Sequence, residues 1–416
     1  MKLQDIDVAV IGAGPAGMAA AIKAKEAGAE NVVIIERDAQ LGGLLHQCIH
    51  NGFGLLYFGE NLTGPEYGYR FTEKLLNAGV NTLLETMVLK VAGDREITAV
   101  NSRDGLFTLR PKSIVLAMGC RERSRGAINI PGTRPAGVLT AGTAQRLVNI
   151  EGFVPGSRIV ILGTGDIGMI MARRLTLEGA QVKAVVEILP YVGGLIRNEV
   201  QCLHDFQIPV FLRHTVTQIH GEERIEAVTI AALDANQRPA AGTEREIECD
   251  TLLLSVGLIP ENELSTLAGV KLDPLTGGAV VNEMRQTNIP GIFAGGNVLH
   301  VHDLVDNVSW ESEVAGENAA KFAQGGKIPE EKITLKPGRN IKYVLPQIIS
   351  GENDATLYLR VKEPERNVKI KVGNIMTSKT IMGVKPSSMV KLDVSAVELK
   401  KYGKKEIVVD CEVKGG

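Results

Sequence analysis

Aromatic residues are scarce in this 416-residue chain, with one Trp, seven Tyr and nine Phe. Such a composition offers little for a binding surface built on stacked rings. Cysteine is sparse too. The five residues, Cys48, Cys120, Cys202, Cys249 and Cys411, are odd in number, scattered and never spaced C-x-x-C. That pattern supports neither a disulfide framework nor a zinc knuckle, and it fits a reducing cytoplasm. No charge of one sign dominates. A net charge of -2 leaves no electrostatic footprint for nucleic acid. Long hydrophobic runs are missing as well: no segment holds 18 consecutive apolar residues, so no membrane span is expected. The start, MKLQDIDVAVIGAG, sets an acidic residue before a short apolar run broken by glycine, unlike a signal peptide.

Glycine is what the chain has in quantity, 46 residues, and it implies tight turns and close backbone approaches. Length alone implies two or three domains. The run DVAVI (Asp7 to Ile11) reads as a strand, followed at once by Gly12, Gly14 and Gly17 in GAGPAG and then by the helical MAAAIKAKEAGA. The first glycine permits the tight turn, the second lets backbone N–H groups approach a pyrophosphate, and the third lets the helix pack on the strand. A second strand, NVVIIE, ends in Glu36, 19 residues after Gly17. A carboxylate there accepts both hydroxyls of an adenosine ribose and repels a 2′-phosphate.

The pattern returns about 150 residues later. RIVIL (Arg158 to Leu162) leads into Gly163, Gly165 and Gly168 in GTGDIG, a helix, and the strand QVKAVVE ending in Glu187, again 19 residues after the third glycine. One G-x-G-x-x-G is a weak signal, but two copies with strand, helix and acid in place are not. Glu187, with no adjacent arginine, favours NAD over NADP. A second domain that keeps the fold but binds nothing is the alternative.

With these motifs the chain resembles the two-dinucleotide-domain flavoproteins of the pyridine nucleotide-disulfide oxidoreductase superfamily over about residues 5 to 325. SIVLAMG, ending at Gly119, and TLLLSVGLIPEN, containing Gly257, are similar to the crossovers where such chains leave and re-enter the FAD domain. NIPGIFAGGN is similar to the second FAD motif, with Gly296 and with Asn297 where the family places an acid. The resemblance implies an α/β fold of two Rossmann-like domains, FAD-binding residues 1–120 and 256–330 and NAD-binding residues 121–255; the pattern of short β-like runs adds a small all-β domain at 335–416. It assigns Gly12, Gly14, Gly17, Glu36, Gly43, Gly119, Gly296 and Asn297 to FAD, and Gly163, Gly165, Gly168, Glu187 and Gly257 to NAD.

Four phrases, GGLLHQCIHNGFG, GPEYGYRF, MGCRERSRGAINIPGTRPAGVLTAGTAQ and GNVLHVHDLVD, carry the resemblance further. They are similar to a subgroup without the redox disulfide, the flavoprotein found with bacterial FAD-dependent glycerol-3-phosphate dehydrogenases. Dithiol members place their cysteines two and seven residues after the second glycine of the pair, where this chain has Leu45 and His50. The implied activity is hydride exchange between NAD(H) and the flavin, with electrons passing to or from a partner dehydrogenase subunit in a cytoplasmic hetero-oligomer. Two alternatives remain: an FAD subunit of an opine, proline or sarcosine dehydrogenase, and a scaffold subunit with a structural flavin.

Candidate catalytic residues are His46, Cys48 and His50, as a flavin-side lining. His46 and His50 at i, i+4 would share a helical face, but a metal needs further ligands, and none is assigned. His300, His302 and Asp303 form a second polar cluster, just before a helix expected from about Val305. After residue 335 short β-like runs alternate with turns. From Lys336 on, 16 Lys plus Arg face 9 Asp plus Glu. This basic module is a candidate docking surface or a merely solvated one.

Overall fold

The computed structural model describes residues 5–330, 332–374, 378–402 and 405–413. They fall into two compact units. One comprises the chain up to His46, Asn51–Cys120 and everything from Pro260; the other comprises Gln47–His50 and Arg121–Ile259.

The first unit is built on a five-stranded parallel sheet in the order Ile292–Ala294, Ser113–Leu116, Val8–Ile11, Val32–Ile35, Asn81–Leu83. Val8 pairs with Val32 on one side and Ser113 on the other. VAVI, VVII and SIVL are buried at every position. A parallel strand covered on both faces reads as an unbroken apolar run rather than an alternating one. One face packs on the helices Pro15–Glu26, Gly64–Asn77 and Val305–Ala323. The other packs on the antiparallel strands Met87–Val91, Ile97–Asn101 and Gly105–Leu109. The helix Pro15–Glu26 carries alanine along its buried side, and a Cβ on Gly316 would lie 2.0 Å from the Ala20 carbonyl oxygen. Small residues thus bring the helices Pro15–Glu26 and Val305–Ala323 into close backbone approach.

The second unit repeats this plan. Its parallel sheet runs Val138–Thr140, Thr251–Leu254, Arg158–Leu162, Gln181–Glu187, Val210–Leu212. An antiparallel meander, His214–His220, Ala227–Ala232 and Arg245–Glu248, precedes the return strand Thr251–Leu254, as the first unit's meander precedes Ser113–Leu116. Each copy has a strand, a glycine turn, a helix and a second strand ending in an acid.

Residues 333–413 add two sheets to the first unit: five strands in the order Ile348–Ile349, Ile333–Pro337, Glu406–Val413, Glu365–Val372, Ser378–Val384, and three in the order Ile341–Leu345, Ala355–Val361, Val390–Val394. They enclose their own apolar core, including Leu335, Leu357 and Ile370. A short helix, Ala396–Tyr402, interrupts the strands. Its signal is local: the Ser395 hydroxyl accepts the Glu398 N–H at 3.3 Å and meets the Glu398 carboxylate at 3.1 Å, a capping pair spelled S-x-x-E. No helix among the described residues is long and apolar enough to cross a membrane.

Candidate dinucleotide sites

In the first unit the strand Val8–Ile11 delivers Gly12, in the left-handed region at φ 98°, into the turn before the helix Pro15–Glu26. A Cβ on Gly17 would sit 1.8 Å from the Gly12 carbonyl oxygen, so the third glycine is required by helix-on-turn packing. Gly14 differs: a Cβ there would meet nothing within 4 Å. The space beside Gly14 lies at a helix N-terminus with no acid in its first turn and no side-chain cap, so unsatisfied N–H groups and the positive dipole end face it.

Glu36 is buried and braces the turn. Its Oε2 accepts the Ala13 N–H at 2.7 Å and its Oε1 the Asp38 N–H at 2.9 Å. A carboxylate oxygen has two lone pairs, so each retains one for a ribose hydroxyl. The glycine pair closes on the same turn: the Gly42 N–H donates to the Ala13 carbonyl at 2.9 Å, and a Cβ on Gly43 would lie 3.1 Å from the Gly14 Cα. Gly296 arrives from the far end of the chain, where its Cβ would lie 2.7 Å from that of Ala16. Beside it, Asn297 Oδ1 accepts the His302 N–H at 3.0 Å and its Nδ2 donates to the sulfur of Cys120, the residue after Gly119, at 3.6 Å. Gly12, Gly14, Gly17, Glu36, Gly43 and Gly296 therefore meet at one turn, with Asn297 beside Gly296.

The second unit shares the acid-braced turn, but its middle glycine is not open: a Cβ on Gly165 would lie 3.0 Å from Ser255 Oγ. Glu187 Oε2 accepts both the N–H and the hydroxyl of Thr164, at 2.8 and 2.5 Å, and its Oε1 accepts the Leu189 N–H at 2.9 Å. Gly163 and Gly168 pack on Ser255, whose hydroxyl accepts the Gly168 N–H at 3.1 Å; Gly257, at φ 100°, accepts the Arg123 N–H at 3.0 Å. Gly193, Thr164, Leu195, Asp166 and Asn198 are further participants that the sequence reading does not assign. Gly193 N–H donates to Thr164 Oγ1 at 2.7 Å, Leu195 N–H donates to Asp166 Oδ1 at 2.8 Å, and Asn198 donates to the same oxygen at 2.7 Å. Asp166 stands in the first turn of the helix Asp166–Leu177, but this oxygen is engaged by residues 195 and 198. The signal was present: a glycine pair follows the acid by six residues in both copies, LGGLL after Glu36 and VGGLI after Glu187.

The helix opened by the glycine pair is a single 3-10 turn, Gly43–Gln47, that ends before Cys48 and His50, so His46 and His50 share no helical face. Both glycines have positive φ, and the His46 ring turns back to 2.5 Å from the Leu41 carbonyl oxygen. Cys48 is buried, 4.0 Å from Gln145 Oε1, and burial pushes its thiol up to about 12. A thiol held protonated is a poor nucleophile at neutral pH. Cys48→Ser is accordingly expected to leave the rate of flavin reduction by NADH within about twofold of wild type in stopped-flow absorbance. All five cysteines are free thiols.

His300 and His302 do come together, facing Glu311 at 3.2 and 3.0 Å in a fully buried cluster with Arg285, Tyr343 and Tyr358. Asp303 points elsewhere and accepts the Met389 N–H. Burial holds the His300 imidazole down to about 4, against 6.5 in an unfolded chain, despite the Glu311 carboxylate. The unfolded chain thus takes up this proton first as pH falls. Stability is full above about pH 6.5 and is lost as pH drops toward 4, by on the order of 3 kcal/mol from this group. Melting temperatures measured across that window should fall in the wild type and fall less steeply in His300→Gln.

The sequence model of the pyridine nucleotide-disulphide oxidoreductases matches residues 6–321, and the chain belongs to that family. Its cofactors are FAD and a pyridine nucleotide, and the residues fit them: open space beside Gly14 in the first cradle and, in each, a carboxylate with a lone pair to spare. The chain is similar to a hydrogen cyanide synthase subunit of Pseudomonas protegens, 25% identical over 313 residues that cover 70% of this chain and 65% of the relative. It is similar to an opine oxidase subunit of Agrobacterium tumefaciens, 27% identical over 283 residues, covering 64% and 55%. The chain thus spans between about half and two thirds of these relatives. Thioredoxin reductase of T. acidophilum shares the fold at a TM-score of 0.63 and 24% identity, covering 77% of this chain and 99% of that one.

Proposed function

We propose that this chain is an FAD-dependent oxidoreductase that exchanges a hydride with NAD(H), works without a redox disulfide, and relays electrons to or from a partner dehydrogenase subunit that oxidises glycerol 3-phosphate. The observation that carries this reading is a pair of dinucleotide cradles in one chain, with Leu45 and His50 at the two positions expected for redox sulfurs. When bound, the flavin supplies the two-electron chemistry and the nicotinamide the hydride. The protein supplies position. The turn around Gly14 offers its N–H groups to an anion, Glu36 and Glu187 orient the riboses, and Asn297 takes the place of the family's acid beside the flavin chain. Cys48 is a lone thiol, already reduced, so it holds no S–S bond to accept the flavin's electrons.

A second reading is an electron-relay subunit beside an amine-oxidising chain, favoured by the similarity to an opine oxidase subunit. Co-expression with a glycerol 3-phosphate-oxidising flavoprotein separates the two. Glycerol 3-phosphate should bleach this chain's flavin only in the co-purified complex. Bleaching by opines or proline and not by glycerol 3-phosphate would favour the second reading.

A further inference from the structure

The helix Val305–Ala323 carries a carboxylate, Glu311, that solvent does not reach. A buried charge persists only when it is paired and hydrogen-bonded. Glu311 Oε2 accepts the backbone N–H of Gly296 at 3.2 Å, inside the turn Gly295–Asn297, and lies 3.0 Å from His302 Nε2. Its Oε1 lies 3.2 Å from His300 Nε2 and 3.4 Å from Arg285 Nε. Burial alone would raise this carboxyl, but the two imidazoles outweigh that and hold it well below the usual carboxylate range. The same turn has a second tie, from the His302 N–H to Asn297 Oδ1.

The other end of this network belongs to the C-terminal β layer. Tyr343 Oη lies 3.2 Å from His300 Nδ1. With Nε2–H donated to Glu311, Nδ1 is the acceptor and the tyrosine donates. Arg285 Nη2 donates to the Thr356 carbonyl at 3.3 Å, and its guanidinium lies 5.6 Å from the centre of the Tyr358 ring. Arg360 donates to the Val301 carbonyl at 2.9 Å, one residue before His302. The strands Ile341–Leu345 and Ala355–Val361 therefore grip the segment that follows the turn.

His300, His302 and Glu311 each bring a ligand atom within 4.8 Å of the others, a spacing a metal ion can use. The charge balance argues otherwise. Arg285 is 1% exposed and already supplies the cation for Glu311, so a dication would add uncompensated positive charge where no solvent reaches.

We propose that Glu311, held from behind by Tyr343 and Arg285, is a positioning residue that keeps the turn Gly295–Asn297 in its flavin-binding shape, which makes the C-terminal β layer a working part of the flavin site. This rests on the reading of that turn as part of the FAD cradle. The test is FAD titration of the apoprotein by flavin fluorescence, with Glu311→Gln and Tyr343→Phe, alongside NADH binding and melting of each apoprotein. Glu311→Gln should raise the FAD dissociation constant about tenfold or more, and Tyr343→Phe, which removes one hydroxyl, about threefold to tenfold. NADH binding should stay within about twofold, and the Tyr343→Phe apoprotein should melt within a few degrees of wild type. Wild-type FAD affinity in both variants would overturn the proposal. So would one tightly bound zinc or iron per chain in the wild type that is lost in Glu311→Gln. Failure of the wild-type apoprotein to take up FAD would overturn the flavin reading and this proposal together.

Discussion

Gly14→Val is expected to leave the apoprotein folded and to remove its flavin, whereas Gly17→Val is expected to remove the fold. The two positions belong to the same short turn, yet their surroundings are opposite. Gly14 has φ -70° and ψ -175°, an extended conformation that valine adopts without strain, and its Cβ would point into space with nothing within 4 Å. The apoprotein should therefore melt within about 3 °C of wild type. The side chain would fill the approach to the N–H groups at the start of the helix Pro15–Glu26, and the FAD dissociation constant should rise by at least about 100-fold, roughly 3 kcal/mol. At Gly17 the added carbon would lie 1.8 Å from the Gly12 oxygen and 3.3 Å from Val10. Helix and strand would have to part, at a cost above about 4 kcal/mol. Calorimetry on the apoproteins and flavin fluorescence titration check both halves. Loss of fold in Gly14→Val would mean that the open space is structural rather than a cofactor approach.

The second large effect is at Glu187. In the folded chain its Oε2 accepts both the N–H and the hydroxyl of Thr164, and its Oε1 accepts the Leu189 N–H and retains a lone pair for a hydroxyl of an adenosine ribose. A 2′-phosphate would meet a carboxylate of like charge, so the wild type should prefer NADH to NADPH by about 100-fold in kcat/KM. Glu187→Ala removes both the hydroxyl acceptor and the repulsion. The expected outcome is a fall of about 30-fold or more with NADH and little change with NADPH, so that the preference nearly disappears. Steady-state rates with each nucleotide and an artificial electron acceptor measure it. An unchanged ratio would place the adenosine ribose away from Glu187.

Both effects sit on residues that the sequence picked out, and the reason is that dinucleotide cradles are local. Gly12, Gly14, Gly17 and Glu36 lie within one strand–turn–helix–strand unit, and a duplicated unit announces itself by repetition. The second glycine pair, Gly193 and Gly194, is equally local, visible as VGGLI beside LGGLL, although it lies outside the G-x-G-x-x-G motif. The environment of His46, Cys48 and His50 was not legible. Helical spacing gave the two histidines a common face, and one 3-10 turn with glycines at positive φ undid it. The Glu311 cluster was legible only in part. HVHD marks the two histidines, but Glu311 lies on the helix beyond, Arg285 comes from before the turn, and Tyr343 comes from the last β layer. Nothing in a single sequence relates those separations.

Central to this reading is a flavin that trades two electrons with NAD(H) and shares them with no dithiol. The measurement that tests it most directly is an anaerobic titration of the purified FAD-loaded chain with NADH and, separately, with dithionite, followed at the visible flavin absorbance. One two-electron equivalent of dithionite per flavin should complete the bleaching, and NADH should produce the same bleaching. Uptake of a second two-electron equivalent per flavin, or a flavin that NADH does not bleach, would contradict it.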